Sequence, residues 1–242
     1  MAILSVRLDS LKKRLGPNQA LAGLSTDFEA SRLHGIIGPD GAGKTTLLRH
    51  LVGLLKADAG TLQWVRDCAP VPFASVKDKV AYMPQTQSLY GDLTVSEHMD
   101  FFAEMYALER NDYQARRDQL LRITRLERFT DRPASKLSGG MYKKLGLMCA
   151  LLADPDALLL DEPTNGVDPV SRREFWELLM DLLKKKIVIL VATAYMDEAE
   201  RCDKVHLVDK GRLLASGEPR ELLRKAGAKR FDEIFLAAQV PA

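Results

Sequence analysis

The feature that most constrains this chain is a glycine-rich segment that lies between a short apolar run and a helical pattern. Residues 38–45 read GPDGAGKT and fit the pattern G-x-x-x-x-G-K-[ST]. The apolar run 33–37 predicts a strand that ends at this segment, and the residues after it have helical spacing. This order predicts an α/β fold built around a phosphate-binding loop.

The loop has the residue types that triphosphate binding requires. Glycines allow phosphate oxygens to approach backbone N–H groups, and the following helix points its positive end at them. Lys44 is predicted to reach the β- and γ-phosphates and the Thr45 hydroxyl to bind Mg²⁺. A chance glycine-rich turn is the alternative, which the flanking strand and helix disfavour. The predicted cofactor-binding residues here are Gly38, Pro39, Asp40, Gly41, Ala42, Gly43, Lys44, Thr45 and Thr46, and Lys44 is also predicted to be catalytic.

A second apolar run ends in two adjacent carboxylates. Residues 157–160 predict a buried strand, and Asp161 and Glu162 follow it. Asp161 is predicted to hold Mg²⁺ through water. Glu162, one residue further, points differently and is predicted to be the catalytic base that polarises the attacking water. A solvated turn is the alternative for paired acids at a strand end, and the phosphate loop in the same chain favours the catalytic interpretation.

Residues 137–141 read LSGGM and precede a helical pattern. In this segment the chain resembles the ATP-binding cassettes of ABC transporters, whose signature is LSGGQ. The resemblance implies that Ser138, Gly139 and Gly140 contact the γ-phosphate held by the other cassette of a head-to-tail dimer. A helix tip of this kind is suited to bind an anion. A serine that only caps its helix, with flexible glycines, is the alternative.

Two further residues match the family in order along the chain. Gln85, after Tyr82, Met83 and Pro84, resembles the Q-loop glutamine, which implies Mg²⁺ binding, a catalytic role and a link to the helical block. A polar residue at a strand end is the alternative for Gln85. Asp168 resembles the D-loop aspartate at the dimer seam, and it is also suited to cap the helix that begins with proline.

The chain departs from the family pattern at three positions. Ala194 stands in the place of the switch histidine, so we expect slow turnover by an isolated homodimer. Leu15 stands where an aromatic ring stacks on adenine, which predicts similar affinities for ATP and GTP. Met141 replaces the signature Gln, which we expect to be tolerated because the anion contacts come mainly from Ser138 and the glycine backbone.

The order of the elements predicts a P-loop NTPase core with a mostly parallel sheet, an N-terminal antiparallel β element and an inserted α-helical subdomain. Residues 3–8 predict an edge strand, 94–97 a capping box that opens a helix, and 209–211 a hairpin turn. The predicted organisation is a single ABC ATP-binding domain over 1–242, with the core at 1–85 and 156–217, a helical subdomain at 86–155 and a C-terminal helical tail at 218–242.

Composition limits the partners that this chain is expected to have. Its 242 residues carry a formal net charge of +2, so no basic field favours nucleic acid. No apolar run approaches the roughly 20 residues of a membrane helix, and the first residues lack the pattern of a signal peptide. We expect a cytoplasmic protein, peripheral on the cytoplasmic face of the cell membrane. Its integral membrane transporter subunit is predicted to dock in the groove between Gln85 and the helical block, near Ser88, Leu89, Tyr90 and Leu93. The alternative is that these residues pack against the chain's own helices.

The resemblance implies an ATP-binding and ATP-hydrolysing subunit or half-subunit of an ABC transporter, with ATP and Mg²⁺ as cofactors. The chain is similar to the N-terminal cassette of two-cassette bacterial ABC-2-type export ATPases, which implies export. The partner is a second cassette, either another copy or, favoured by Ala194 beside a retained Glu162, a non-identical one. A full subunit and a piece of a tandem protein both fit. The alternatives are a non-transport cassette acting on ribosomes or DNA, and a regulatory cassette that barely hydrolyses ATP.

Overall fold

The computed structural model describes residues 4–86 and 89–239, and two β-sheets organise this part of the chain. The strands are β1 (Leu4–Leu15), β2 (Asn18–Phe28), β3 (Leu33–Ile37), β4 (Ala59–Arg66), β5 (Ala69–Val71), β6 (Val80–Met83), β7 (Ala157–Asp161), β8 (Val188–Thr193), β9 (Lys204–Asp209) and β10 (Arg212–Gly217). The α-helices are α1 (Lys44–Leu51), α2 (Val95–Met105), α3 (Arg110–Thr124), α4 (Gly139–Leu151), α5 (Pro169–Leu183), α6 (Pro219–Ala226) and α7 (Phe231–Gln239).

The larger sheet has six strands in the order β10-β9-β3-β8-β7-β6. The pairs from β9 across to β6 are parallel, and β10 adds an antiparallel edge through the predicted hairpin. Both residues of its turn, Lys210 and Gly211, have positive φ angles of 45° and 72°. Such angles match the twist of a tight hairpin. The prediction of a mostly parallel sheet is confirmed.

The parallel strands are buried on both faces, which explains their uninterrupted apolar runs. In β7, Leu158 and Leu160 pack in a core with helices α2 to α5, whereas Leu159 packs in a second core with α1 and the smaller sheet. Alternate residues of a strand therefore serve two cores. The carboxyl end of this strand is held rigidly from both sides.

The smaller sheet is antiparallel, with the order β2-β1-β4-β5. The prediction of an edge strand over residues 3–8 is wrong, because β1 pairs with β2 on one side and with β4 on the other. Ile3, the first residue of the predicted strand, lies outside the described residues. The second partner comes from residues 59–66, so β1 acquires it only through a contact that is distant in sequence. The predicted antiparallel β element at the N-terminal end is confirmed.

A pair of histidines lies in the core where the two sheets meet. His34 Nδ1 lies 3.0 Å from His206 Nε2, and both rings pack against Phe28. Burial lowers the pKa of His34 to about 4, although the carbonyl oxygen of Glu29 lies 2.9 Å from Nε2 and opposes this. Burial also holds the pKa of His206 well below its ordinary value, with the charge of Lys204 acting in the same direction.

Side-chain hydrogen bonds cap the N-termini of helices α2, α4 and α5. The predicted capping box at α2 is confirmed, since Glu97 N donates to Thr94 Oγ1 at 3.2 Å and Thr94 N donates to Glu97 Oε2 at 2.7 Å. Ser138 caps α4 and Asp168 caps α5. Over 4–86 and 89–239, none of the helices has the length and apolar character needed to cross a bilayer.

Candidate nucleotide-binding and hydrolysis site

The phosphate loop connects the end of β3 to the first turn of α1. Gly43, the N-cap of α1, has a φ of 104°, and a Cβ there would lie 2.4 Å from the carbonyl oxygen of Ala20. At Gly38 a Cβ would lie 2.1 Å from the carbonyl oxygen of Val208. Only glycine fits these two positions, so the close packing of the loop explains its composition.

Lys44 bends back over the loop that precedes it. Its Nζ donates to the carbonyl oxygen of Gly38 at 2.7 Å and to that of Pro39 at 3.1 Å. The same atom lies 3.1 Å from Glu162 Oε1, and both side chains are almost fully buried. This places a positive charge where the N-terminus of α1 also favours an anion.

Asp161 lies at the end of β7 and faces the loop. Thr45 Oγ1 donates to its Oδ1 at 3.0 Å, and Tyr82 OH donates to its Oδ2 at 3.1 Å. Burial raises the pKa of Asp161 against these hydrogen bonds, and burial together with the nearby carboxylate raises the pKa of Tyr82 to about 12. Adjacent hydroxyl and carboxylate oxygens fit Mg²⁺, which takes few protein ligands when phosphates supply the rest.

Glu162 follows β7 with a left-handed backbone, at a φ of 47°. Such a conformation is uncommon for a non-glycine residue and turns the side chain out of the line of the strand. Burial raises the pKa of Glu162, with the charge of Lys44 opposing, and Ala194 N donates to Oε2 at 3.3 Å. Within the described part of the chain Oε1 receives no well-aligned hydrogen bond, so it keeps a lone pair for another donor.

A cavity of about 170 Å³ lies between the loop and Glu162 at the end of β7. It brings predicted residues from three separate segments together, and Gln85 among them is exposed. Its lining consists of Ala20, Asp40, Gly41, Ala42, Gly43, Lys44, Thr45, Thr46, Gln85 and Glu162.

The signature residues lie at a different surface. Ser138 and Gly139 are exposed, and Ser138 Oγ accepts a hydrogen bond from Met141 N at 3.3 Å. Gly140 is buried against α5, since a Cβ there would lie 2.5 Å from Ser171 Cβ. None of these residues lines the cavity of the phosphate loop. The structure therefore does not bring the signature and the phosphate loop of one chain together.

Asp168 lies beside the signature at the start of α5. Its Oδ1 accepts hydrogen bonds from Val170 N at 3.1 Å and Ser171 N at 3.0 Å, so the predicted capping role is confirmed. The hydrogen bonds from Ser171 hold the pKa of Asp168 below its ordinary value. Asp168 is exposed, and the segment before it meets the signature, since a Cβ on Gly139 would lie 3.3 Å from the Gly166 carbonyl oxygen.

Two other departures from the family pattern have clear positions. Leu15 ends β1 with 43% of its surface exposed, so it presents an aliphatic face rather than a ring. Met141, in the first turn of α4, packs against the core of the helical side. The sulfur side chain therefore has a packing role in this chain.

Sequence reasoning missed two residues that touch the site. Tyr82 binds Asp161, and Lys143 Nζ lies 3.4 Å from the carbonyl oxygens of both Gln85 and Glu162. Burial lowers the pKa of Lys143, with the charges of Asp161 and Glu162 opposing. Side chains alternate between the two faces of a strand, and β6 lies parallel to β7. The alternation along β6 therefore contained a signal that Tyr82 lies on the same face of the sheet as Asp161. No signal in the sequence indicated Lys143.

A comparison with known families agrees with this geometry. A family model described as ABC transporter matches residues 21–165. The probable multidrug ABC transporter ATP-binding protein YbhF of Escherichia coli K12 is 42% identical over 234 residues. The match covers 93% of this chain and 39% of YbhF, so the chain spans well under half of that relative. The Nod factor export ATP-binding protein I of Ralstonia nicotianae is 41% identical, with 91% of this chain and 68% of the relative covered.

Solved structures give the same result for the fold. The structure of an ATP-binding subunit of an ABC transporter matches with a TM-score of 0.82 at 28% identity, covering 96% of this chain and 98% of the other. The ADP conformation of MJ1267, an ATP-binding cassette of an ABC transporter, matches with a TM-score of 0.81 at 25% identity. That match covers 98% of this chain and 99% of MJ1267.

Proposed function

Because this chain belongs to the ABC transporter family of ATP-binding proteins, we propose that it hydrolyses ATP as a subunit or half-subunit of a membrane transporter. The observation that carries the proposal is the convergence of three segments on one cavity. The phosphate loop, Gln85 and Glu162 line it, and Asp161 lies behind Thr45. A triphosphate site beside a buried carboxylate is the arrangement that phosphoryl transfer to water needs.

The loop supplies binding and electrostatic stabilisation. Backbone N–H groups of 38–46 and the Lys44 amine would hold the phosphates, where charge increases in the transition state. Thr45, Asp161 and Gln85 would hold Mg²⁺, which supplies neutralisation of phosphate charge when it is bound. These residues fit it because Thr45 and Gln85 offer neutral oxygen atoms at the cavity and Asp161 offers an anionic one beside Thr45.

Glu162 would act as the general base. Its Oε1 has a lone pair available to a water molecule, and burial raises its pKa toward the range in which a base is most effective. The ion pair with Lys44 holds the carboxylate beside the phosphate loop, and phosphate oxygens that reach the amine would free it to face the attacking water. Water held between this carboxylate and the γ-phosphate would lose its proton to Oε1 as it attacks phosphorus.

The signature would act on the ATP of a second cassette. Ser138 and Gly139 are exposed at the N-terminus of a 13-residue helix, which gives them free hydrogen-bond donors and a favourable dipole for an anion. Asp168 would lie at the same seam. A head-to-tail pair, of two copies or of two different cassettes, would place each signature against the other phosphate loop.

An apolar surface on the helical side would receive the membrane partner. Tyr90, Phe101 and Met105 expose 57%, 40% and 55% of their surface, and the rings of Tyr90 and Phe101 meet edge to face at 5.6 Å. Clustered exposed rings are typical of a protein interface. The predicted contact at Ser88 lies outside the described residues. Phe101→Asp should release the protein from membranes that carry its partner, and membrane binding equal to wild type would contradict this assignment.

We further propose that the transporter is an exporter and that the protein lies on the cytoplasmic face of the membrane. The names of the relatives support this, since YbhF is called a multidrug transporter protein and the Ralstonia protein a Nod factor export protein. Ala194 supports a second candidate function, a cassette of low turnover, because the switch segment offers Glu162 only a backbone N–H.

Phosphate release with Mg²⁺-ATP tests the proposal. Wild type should release phosphate, and Glu162→Gln should lower the rate by at least about 100-fold while ATP still binds, since an amide does not accept the proton. Glu177→Gln, an exposed residue paired with Arg173, is the matched control and should behave as wild type. Absence of Mg²⁺-dependent release by wild type, or full activity of Glu162→Gln, would contradict the proposal.

A further inference from the structure

Helix α4 joins the signature to the hydrolytic residues of the same chain. Ser138 caps its first turn, and Lys143 follows on the second. Lys143 Nζ lies 3.4 Å from the carbonyl oxygen of Gln85 and 3.4 Å from that of Glu162. A single amine thus connects three segments that are far apart in sequence.

Tyr142, the neighbour of Lys143, makes a second contact with the residues that follow Gln85. Tyr142 OH accepts a hydrogen bond from Leu89 N at 2.9 Å. Helix α4 is therefore hydrogen-bonded to the chain at residue 85 and again at residue 89. These two contacts tie Gln85 and Leu89 to α4.

The burial of Lys143 indicates that its side chain has a defined position. The side chain is half-buried, and placing a long flexible amine between two carbonyls costs conformational entropy. A lysine needed only for solubility would extend into water instead. The next residue, Lys144, already anchors α4 to α5 through an ion pair with Glu174. Lys143 is directed toward the cavity side and is not required for that anchor.

We infer that Lys143 is a positioning residue that transmits the contact made by the signature of this cassette to its own Gln85 and Glu162. The inference rests on the proposed function. Lys143 binds main-chain carbonyls, so it sets where these two residues lie without contacting ATP. A signature engaged with the phosphates of the partner would fix α4, and Lys143 would then fix the hydrolytic residues of its own site.

The test compares Lys143→Met, Lys143→Arg and the exposed control Lys136→Met with wild type. Phosphate release is measured against ATP concentration, alongside ATP binding and thermal unfolding. Lys143→Met should lower kcat about tenfold, as expected for a lost charge-assisted hydrogen bond, with little change in KM. Phosphate release by this variant should lose its cooperative dependence on ATP concentration. Lys143→Arg should restore most of kcat, and Lys136→Met should match wild type.

Two results would overturn the inference. One is a Lys143→Met protein with the kcat and cooperativity of wild type. The other is a loss of kcat in Lys143→Met that accompanies reduced thermal stability and that Lys143→Arg does not restore. If wild type itself releases no phosphate, the proposed function fails, and amide hydrogen exchange of Gln85, Thr86, Leu89 and Tyr90 decides the role of Lys143. ATP should slow this exchange in wild type but not in Lys143→Met, and equal slowing in both would overturn it.

Discussion

Lys44 Nζ and Glu162 Oε1 lie 3.1 Å apart, with only 6% and 4% of their side chains exposed. The amine that would bind phosphate and the carboxylate that would activate water therefore form one buried charge pair. Phosphate oxygens that reach Lys44 compete with Glu162 for the same amine. We propose that binding of the triphosphate would in this way be coupled to release of the carboxylate at a single atom.

Breaking this pair from one side should destabilise the fold. Lys44→Met leaves a buried carboxylate without its counter-charge, which costs about 3 kcal/mol of unfolding free energy. The double variant Lys44→Met with Glu162→Gln removes both charges and should regain most of the loss. Urea unfolding of the four proteins in this cycle measures the coupling. Additive effects of the two substitutions would contradict the charge pair.

The switch position should limit turnover. Ala194 offers Glu162 only its backbone N–H, and its methyl group has no donor for phosphate. Ala194→His adds such a donor and should raise kcat at least about tenfold. Phosphate release measured under saturating ATP checks this, with Ala194→Phe as a control for size. No gain with His, or turnover of wild type that is already brisk, would count against the prediction.

The base of the nucleotide should be poorly discriminated. Leu15 gives an aliphatic contact where a ring would stack, so ATP and GTP should bind with similar affinity. Leu15→Tyr adds a stacking face and should strengthen ATP binding by roughly 1–3 kcal/mol. Equilibrium titration of both nucleotides measures the two effects. A preference of wild type for ATP of about tenfold or more would refute the prediction.

The buried histidine pair should make the fold sensitive to mild acid. Burial lowers the pKa of His34 from 6.5 to about 4, so the unfolded chain takes up a proton at a higher pH than the folded one. The stability from the neutral ring is present above pH 6.5 and is lost as the pH falls toward 4. His206→Gln removes the partner ring, which also has a lowered pKa.

Unfolding free energies measured between pH 7 and pH 4 test this linkage. Each proton taken up only by the unfolded chain contributes a slope of about 1.4 kcal/mol per pH unit. His206→Gln should therefore reduce the slope of wild type by up to that amount. Equal slopes for the two proteins would show that the pair does not carry the pH dependence.

The sequence predicted the parts of the site that lie within single segments. The loop at 38–45 and the acids at the end of β7 each combine a strand with the residues that follow it, so local pattern sufficed. The cap at Asp168 was predicted for the same reason. These features depend on neighbours in the chain, and side-chain chemistry there dictates backbone geometry.

Contacts between distant segments were not predictable in the same way. The pattern over residues 3–8 predicts an edge strand, but β1 has a second partner, β4, which begins only at Ala59. Lys143 has ordinary helical spacing, and only the packing of α4 against the sheet directs it to Gln85 and Glu162. The division into core, helical subdomain and tail remains a prediction.

We propose that each ATP is held by the phosphate loop of one cassette and the signature of another. Mixing two inactive variants tests it most directly. Glu162→Gln retains an intact Ser138, and Ser138→Arg, changed at an exposed position, retains an intact Glu162. In a head-to-tail pair one complete site forms from the two chains, so mixing should restore phosphate release above the sum of the separate rates. Mixtures that remain as inactive as their components would contradict a head-to-tail pair of two copies of this chain.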